Sequence, residues 1–380
     1  MKNLKLIGFL MILASGLLFT QCTTDTIVGQ AGADGIDGIN GVNGANGLDG
    51  TDGLDGADIA VCISCHSNSH RDAINDAYTS LSKHANGSSW SYAGVGINRV
   101  GCAQCHNNQG FIDFQTTGAV HEEGYTLSQP ISCTGCHNIH RSFDFANDEN
   151  DMAMRTLRPV TLITNPDYTI DIKNESDVLG KSNTCVNCHQ PRTSAPEATD
   201  GKYMNTSTHW GPHHGPQSTL LEGITGFEFS PAEIPVAGTG GHRTKMSCVA
   251  CHMSTVDEGH SWEPANYASV TCTKCHGAKE EVTGFATGMA ELAELLANAE
   301  GQAIVKVDGV WVPAFEADGT TPVITIGIVH EGGEPALGLF DIQVANAAYN
   351  YLYILEDKSN GVHNPPYVKA LIEQSIKSFE

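Results

Sequence analysis

Residues 248–276 read CVACHMSTVDEGHSWEPANYASVTCTKCH and contain the pattern Cys-x-x-Cys-His twice, at Cys248–His252 and Cys272–His276. Four more copies lie upstream, at Cys62–His66, Cys102–His106, Cys133–His137 and Cys185–His189. The pattern is that of covalent c-type haem attachment: two thiols add across the vinyl groups, and the adjacent histidine becomes the proximal iron ligand. With 13 Cys and 17 His in 380 residues, chance supplies roughly 0.02 copies of such a motif. Zinc sites and redox Cys-x-x-Cys pairs do not need the trailing histidine. The expectation is six haem c groups. Their thioether residues are Cys62, Cys65, Cys102, Cys105, Cys133, Cys136, Cys185, Cys188, Cys248, Cys251, Cys272 and Cys275. Their proximal iron ligands are His66, His106, His137, His189, His252 and His276.

The N-terminus fits export, which haem attachment outside the cytoplasm requires. Lys2 and Lys5 precede an apolar run from Leu6 to Phe19, too short to span a bilayer comfortably. Twelve of the 13 cysteines belong to the motifs; the remaining one, Cys22, stands where a bacterial lipoprotein carries its lipidated cysteine. Gln21 departs from the usual small residue before that cysteine, so an ordinary cleaved signal is the alternative. Residues 29–58 then repeat glycine every third position from Gly29 to Gly56. This collagen-like Gly-X-Y run reads as a trimeric stalk or, since it contains no proline, as a flexible spacer. Extended at about 3.1 Å per residue it would reach about 90 Å; as a random coil it would span nearer 30 Å.

The expected organisation is a lipoprotein signal peptide at 1–22, a Gly-X-Y spacer at 23–58 and a hexahaem cytochrome c domain at 59–276. A haem-free helical segment at 277–380 packs on that domain. The expected fold class is mainly α with extensive irregular loops: a multihaem cytochrome c fold wrapped around stacked haems, with a C-terminal helical segment and a small β-hairpin. Six porphyrins in so short a region leave little room for an ordinary side-chain core. Helices are expected at 281–299, 337–358 and 365–379, a hairpin at 303–312 turning at Asp308-Gly309, and a strand at 323–329.

Eleven histidines remain beyond the proximal six, enough to give every iron a second imidazole. The candidate distal ligands are His84, His121, His140, His213, His214, His242, His260 and His363. Bis-histidine iron is coordinatively saturated and lacks the potential-raising effect of methionine.

The stretch Cys248-Val-Ala-Cys251-His252-Met253, followed by His260, Pro264 and Cys272-Thr-Lys-Cys275-His276, resembles the paired-haem segment of the pentahaem ammonia-forming nitrite reductases and their octahaem relatives. Asn360-Gly361-Val362-His363-Asn364-Pro365 before a helix resembles the terminal segment of the same superfamily. The resemblance implies that His260 and His363 are distal ligands and that haems stack as in that superfamily. The sequence contains no Cys-x-x-Cys-Lys, the motif that usually carries the catalytic haem there. The resemblance therefore implies a fold and haem packing and assigns no catalytic residue.

Formal net charge is -23, which argues against nucleic acid as a partner and favours cationic or metal-bearing ones. Three functions are open. The leading one is an electron-transfer cytochrome at the outer membrane or cell surface, held by a lipid anchor. Its redox partners would be other cytochromes or a quinol-linked donor, and an outer-membrane or extracellular acceptor. The second is a reductase of a small nitrogen or sulfur oxyanion, of the nitrite or hydroxylamine type, with one open-site haem near Arg192 or His213 and His214. The third is a subunit of a haem-stacked oligomer or filament, or a homotrimer formed through the Gly-X-Y run.

Overall fold

Two kinds of sequence build two kinds of structure. Around the motifs Ser, Thr and Gly are the commonest residues, and the chain forms short helices joined by loops. The longer helices there are α1 (Asn68–Leu81) and α2 (Asn108–Thr117). Ser67 caps α1 by accepting from the His70 amide, and Asn107 caps α2 by accepting from Gln109 and Gly110. The computed structural model describes residues 62–63, 66–94, 99–140, 151–254, 258–263, 268–277 and 281–380. The signal and spacer expected at 1–22 and 23–58, with Cys22, lie outside the described residues, as does Cys65.

Between motifs three and five, β1 (Val160–Thr161) pairs antiparallel with β2 (Thr169–Ile170). Val160, Leu162, Ile170, Ile172, Val186 and Leu221 form a small apolar cluster there. Strand β3 (Lys202–Asn205) and helix α3 (Gln217–Glu222) follow. Beside this cluster Arg243 and Glu222 form a buried ion pair, and Arg243 Nη2 also donates to the Asp171 carbonyl at 2.8 Å.

After residue 281 the pattern changes to regular apolar periodicity. Helix α4 (Phe285–Asn298) buries Met289, Leu292 and Leu296. Four strands come next: β4 (Glu300–Gln302), β5 (Ile304–Val307), β6 (Val310–Pro313) and β7 (Ile324–Ile326). β5 and β6 form the expected hairpin, with Val307 opposite Val310. Its two turn residues, Asp308 and Gly309, both have positive φ (49° and 85°), as a primed turn requires. β8 (Val329–His330) pairs with β9 (Glu334–Pro335), and β10 (Gly338–Asp341) leads into α5 (Ile342–Asp357). The last helix, α6 (Pro365–Lys377), starts with two prolines after the Asn364 cap.

The helix expected from 337 is shorter than its apolar run suggests. Gly338–Asp341 alternate buried and half-buried, the period of a strand, and Asp341 then caps α5 by accepting from Gln343 N at 3.0 Å. β10 pairs with β3 on one side and β4 on the other, giving the order β3-β10-β4-β7. The fold is thus less purely helical than expected. This sheet joins a strand from the motif region to strands from the haem-free segment, and residues 56–380 form one compact unit.

The haem-free segment supplies most of the side-chain core. One cluster gathers Leu220, Met289, Tyr349, Tyr353, Ile354, Tyr367, Val368, Leu371 and Ile372. A second gathers Leu292, Leu296, Ile328, Val329, Phe340, Ala345 and Leu352. Among the described residues no helix is long and apolar enough to cross a membrane. Leu296 is fully buried in the second cluster, so Leu296→Ala should cost about 2–5 kcal/mol of stability. Guanidinium denaturation followed by far-ultraviolet circular dichroism checks it.

Candidate functional site

The five motifs at 102–106, 133–137, 185–189, 248–252 and 272–276 each sit on one tight helical turn. The amides of His137, His189 and His276 donate to the carbonyls of Cys133, Cys185 and Cys272 at 2.8, 2.9 and 2.9 Å. This i to i−4 closure folds the pentapeptide back on itself, so two thiols and an imidazole leave a single turn. Ser247 strengthens the fifth motif by accepting from Ala250 N at 3.2 Å.

Six imidazole pairs define the site. His66 faces His140 with ring centroids 6.1 Å apart, and His189 faces His84 at 6.0 Å. His106 faces His213 at 6.0 Å and His137 faces His260 at 6.5 Å. His252 faces His363 at 6.2 Å and His276 faces His242 at 6.0 Å. Every pair joins one motif histidine to a different non-motif histidine. Metal–imidazole bonds are about 2 Å long and the ring centre lies a little over 1 Å behind the nitrogen, so two histidines sharing one metal hold centroids roughly 6 Å apart. Edge-to-face aromatic packing covers a similar range, and a single pair would decide nothing. The one-to-one matching across all six motifs is what fits a metal between the rings.

Hydrogen bonds fix which nitrogen faces inward. Nδ1 of His137 lies 2.9 Å from the Met152 carbonyl, that of His189 2.9 Å from Gln217 Oε1, and that of His252 3.0 Å from the Trp262 carbonyl. Nδ1 of His242 lies 2.5 Å from the Val362 carbonyl and that of His363 2.6 Å from Asp357 Oδ1. Each oxygen accepts the Nδ1 proton, leaving Nε2 with its lone pair for a metal. Burial, with His189 and His252 nearby, lowers His84 to about 4, so that ring is neutral at neutral pH and able to act as a ligand. Burial and the neighbouring His214 and His106 lower His213 likewise to about 4. Burial also lowers His363, but the Asp357 carboxylate outweighs it and raises the pKa overall.

Of the eight expected distal candidates, His84, His140, His213, His242, His260 and His363 stand opposite motif histidines. The other two have different neighbours: His121 lies against Tyr125 at 6.5 Å, and His214 Nδ1 lies 2.8 Å from Glu356 Oε2. His213 has a positive φ of 72°, a conformation that costs a non-glycine residue free energy and persists where the surroundings impose it. An open cleft of about 310 Å³ beside it is lined by Cys102, Arg192 and His209 among others, and Arg192 Nη1 donates to the Gly101 carbonyl at 3.2 Å.

The motifs also touch one another, and the fourth is the most connected. The Cys105 and Cys188 thiols perturb one another, the Cys105 pKa lowered and the Cys188 pKa raised, and Cys105 Sγ lies 3.8 Å from the Asn187 carbonyl. Cys248 packs against the apolar cluster that includes Val186, and Val249 N donates to Ser182 Oγ at 3.2 Å. Trp262, which sequence reasoning did not single out, joins three sites. Its ring lies 5.3 Å from His84 and 6.4 Å from His260, while its carbonyl takes the His252 proton. Its place two residues after His260 was the available signal.

No protein-family profile matches the chain. It is similar to C-type polyheme cytochrome OmcB of Geobacter sulfurreducens, in the DL-1/KN400 and PCA strains, at 25% identity over 364 residues. The chain resembles multihaem c-type cytochromes. The match covers 80% of this chain and 47% of OmcB, so the chain spans about half the length of the curated relatives it matches. An undecaheme cytochrome from the S-layer of Carboxydothermus ferrireducens matches over 80% of this chain and 40% of its own, at 14% identity and a TM-score of 0.42.

Proposed function

We propose that the chain is an exported hexahaem c-type cytochrome that relays electrons through six bis-histidine haems. The observation that carries this reading is the matching of all six motif histidines to six separate partners at 6.0–6.5 Å. When bound, the haem irons supply one-electron redox chemistry. The chain's cysteines would attach the groups, the Nδ1 bonds hold the imidazoles in place, and the paired histidines would occupy the ligand positions and so exclude exchangeable ligands. Imidazoles held rigidly on both sides would keep rearrangement on electron transfer small, which suits a relay.

The same matching weighs against the reductase reading, which needs one motif histidine with nothing opposite it. It also weighs against an essential distal histidine lent by a second copy of the chain. The lipid anchor at Cys22, the spacer and the outer-membrane location belong to this proposal as its membrane end. Arg192, beside Cys102 and His213, suits a haem propionate, the acidic group that a c-type haem would present there.

Intact mass of the purified protein should show six haems. The oxidised protein should give only low-spin electron paramagnetic resonance signals, in two classes. The His66/His140, His84/His189, His106/His213 and His242/His276 planes cross at 67–88°, which gives signals with a large principal g value. The His137/His260 and His252/His363 planes cross at 34° and 39°, which gives ordinary rhombic signals. A high-spin haem in the native protein whose signal moves on adding nitrite would overturn the relay in favour of the reductase.

Substitution separates the ligands from the other histidines. His84→Ala should convert one haem in six to high spin, whereas His121→Ala and His214→Ala should leave all six low-spin. The same spectrum reads all three variants.

A further inference from the structure

Five of the paired imidazoles have a defined Nδ1 partner, and the partners are not equivalent. Met152, Trp262 and Val362 offer backbone carbonyls, and Gln217 offers an amide oxygen. His363 alone among these five meets a carboxylate, Asp357 Oδ1, at 2.6 Å. The Asp357 side chain has no exposed surface, and the ion pair described for it is with His363 itself. Its other oxygen, Oδ2, accepts from the hydroxyl and the amide of Ser359. The neighbouring cation Lys358 is turned to Glu356 at 3.7 Å.

A carboxylate in this position acts on a bound metal in two ways. It draws the Nδ1 proton toward itself, so Nε2 becomes a stronger electron donor than an imidazole bonded to a neutral oxygen. Its buried negative charge also lies one imidazole away from the iron, where screening by water is weak. Both effects favour ferric over ferrous iron, and hence a more negative reduction potential. We infer that Asp357 is a positioning and tuning residue that lowers the potential of the haem held by Cys248 and Cys251 between His252 and His363. This rests on the bis-histidine reading above. The tuned site adjoins the fourth motif, where Cys248 packs on the cluster that includes Val186 and Val249 N donates to Ser182 Oγ at 3.2 Å. It is therefore a low-potential member set beside the most connected site, suited to pass electrons toward it.

Asp357→Asn keeps an acceptor oxygen for His363 and removes the charge. Spectroelectrochemical titration of the intact holoprotein should show one haem in six moving to a more positive potential. The low-spin signal of that haem should shift while all six stay low-spin. Ser359→Ala, which removes the hydroxyl drawing on Oδ2, should move the same haem to a more negative potential. Six unchanged potentials in a fully haem-loaded Asp357→Asn protein would overturn the inference. If that variant fails to assemble, an unchanged or more positive potential in Ser359→Ala overturns it. His363→Ala separates the two levels: if it creates no high-spin haem, the ligand reading itself falls, whatever Asp357 does.

Discussion

A metal bridging a histidine pair would tie together two points far apart in the chain, and six such ties would constrain this structure. Under the proposed ligation, His137 is tied to His260, His252 to His363 and His106 to His213, each across a long stretch of sequence. Only His242 and His276 are close in the chain. Each tie closes a loop and removes conformational freedom from the unfolded chain, and it exists only once the haem is attached. That explains how a region so poor in side-chain core holds a fold. Between residues 62 and 276 the cluster around Leu162 and Ile172 is small, and the largest clusters draw mainly on α4, α5 and α6.

Much of the site was legible in the sequence because its chemistry is local. Cys-x-x-Cys-His would place attachment and proximal ligation within five residues, so each proposed site is written in one short motif. Beyond His260 and His363, which the family resemblance picked out, the proposed distal histidines were legible only as a surplus, and nothing in the sequence ranks His140 above His121. Their difference is tertiary: His140 is carried back toward His66, whereas His121 is held beside Tyr125, whose hydroxyl accepts from its amide at 3.1 Å. The strand Gly338–Asp341 was read as the first turn of a helix because its apolar residues run into the helical pattern of α5. What decides it is the partner, β3, more than a hundred residues upstream, which no local periodicity reveals. The Asp308-Gly309 hairpin was legible because two left-handed residues in succession are a local requirement.

Contacts between motifs give the proposed relay a branched arrangement. The fourth motif meets the second where Cys105 Sγ approaches the Asn187 carbonyl, the fifth through the Val249 amide and Ser182, and the third through the ring of Trp262 between His84 and His260. A linear chain of sites fails if one relay is lost. A site with several neighbours can accept electrons from more than one of them, and its own potential then biases the traffic. A group buried as deeply as His84, with two further imidazoles close by, sits where neighbouring charges are felt most strongly.

The haem-free segment has its clearest purpose in the turn between α5 and α6. Within residues 357–364 the chain offers Asp357 to His363, the Val362 carbonyl to His242, and His363 to His252. Asn364 caps α6 and reaches the Leu221 carbonyl at 3.2 Å. One short turn thus serves the fifth and sixth motifs together. It needs left-handed backbone at Lys358, Asn360 and Gly361, a conformation that a free loop would not hold. The helices on either side hold it: Tyr349 and Tyr353 on α5 and Tyr367 on α6 are fully buried, and the Tyr353 hydroxyl donates to Ile224 at 2.8 Å. The rigid core lies mainly beyond the motif region, where it holds the turn that carries His363 and the Val362 carbonyl. A loop anchored at only one end would not hold His363 opposite His252.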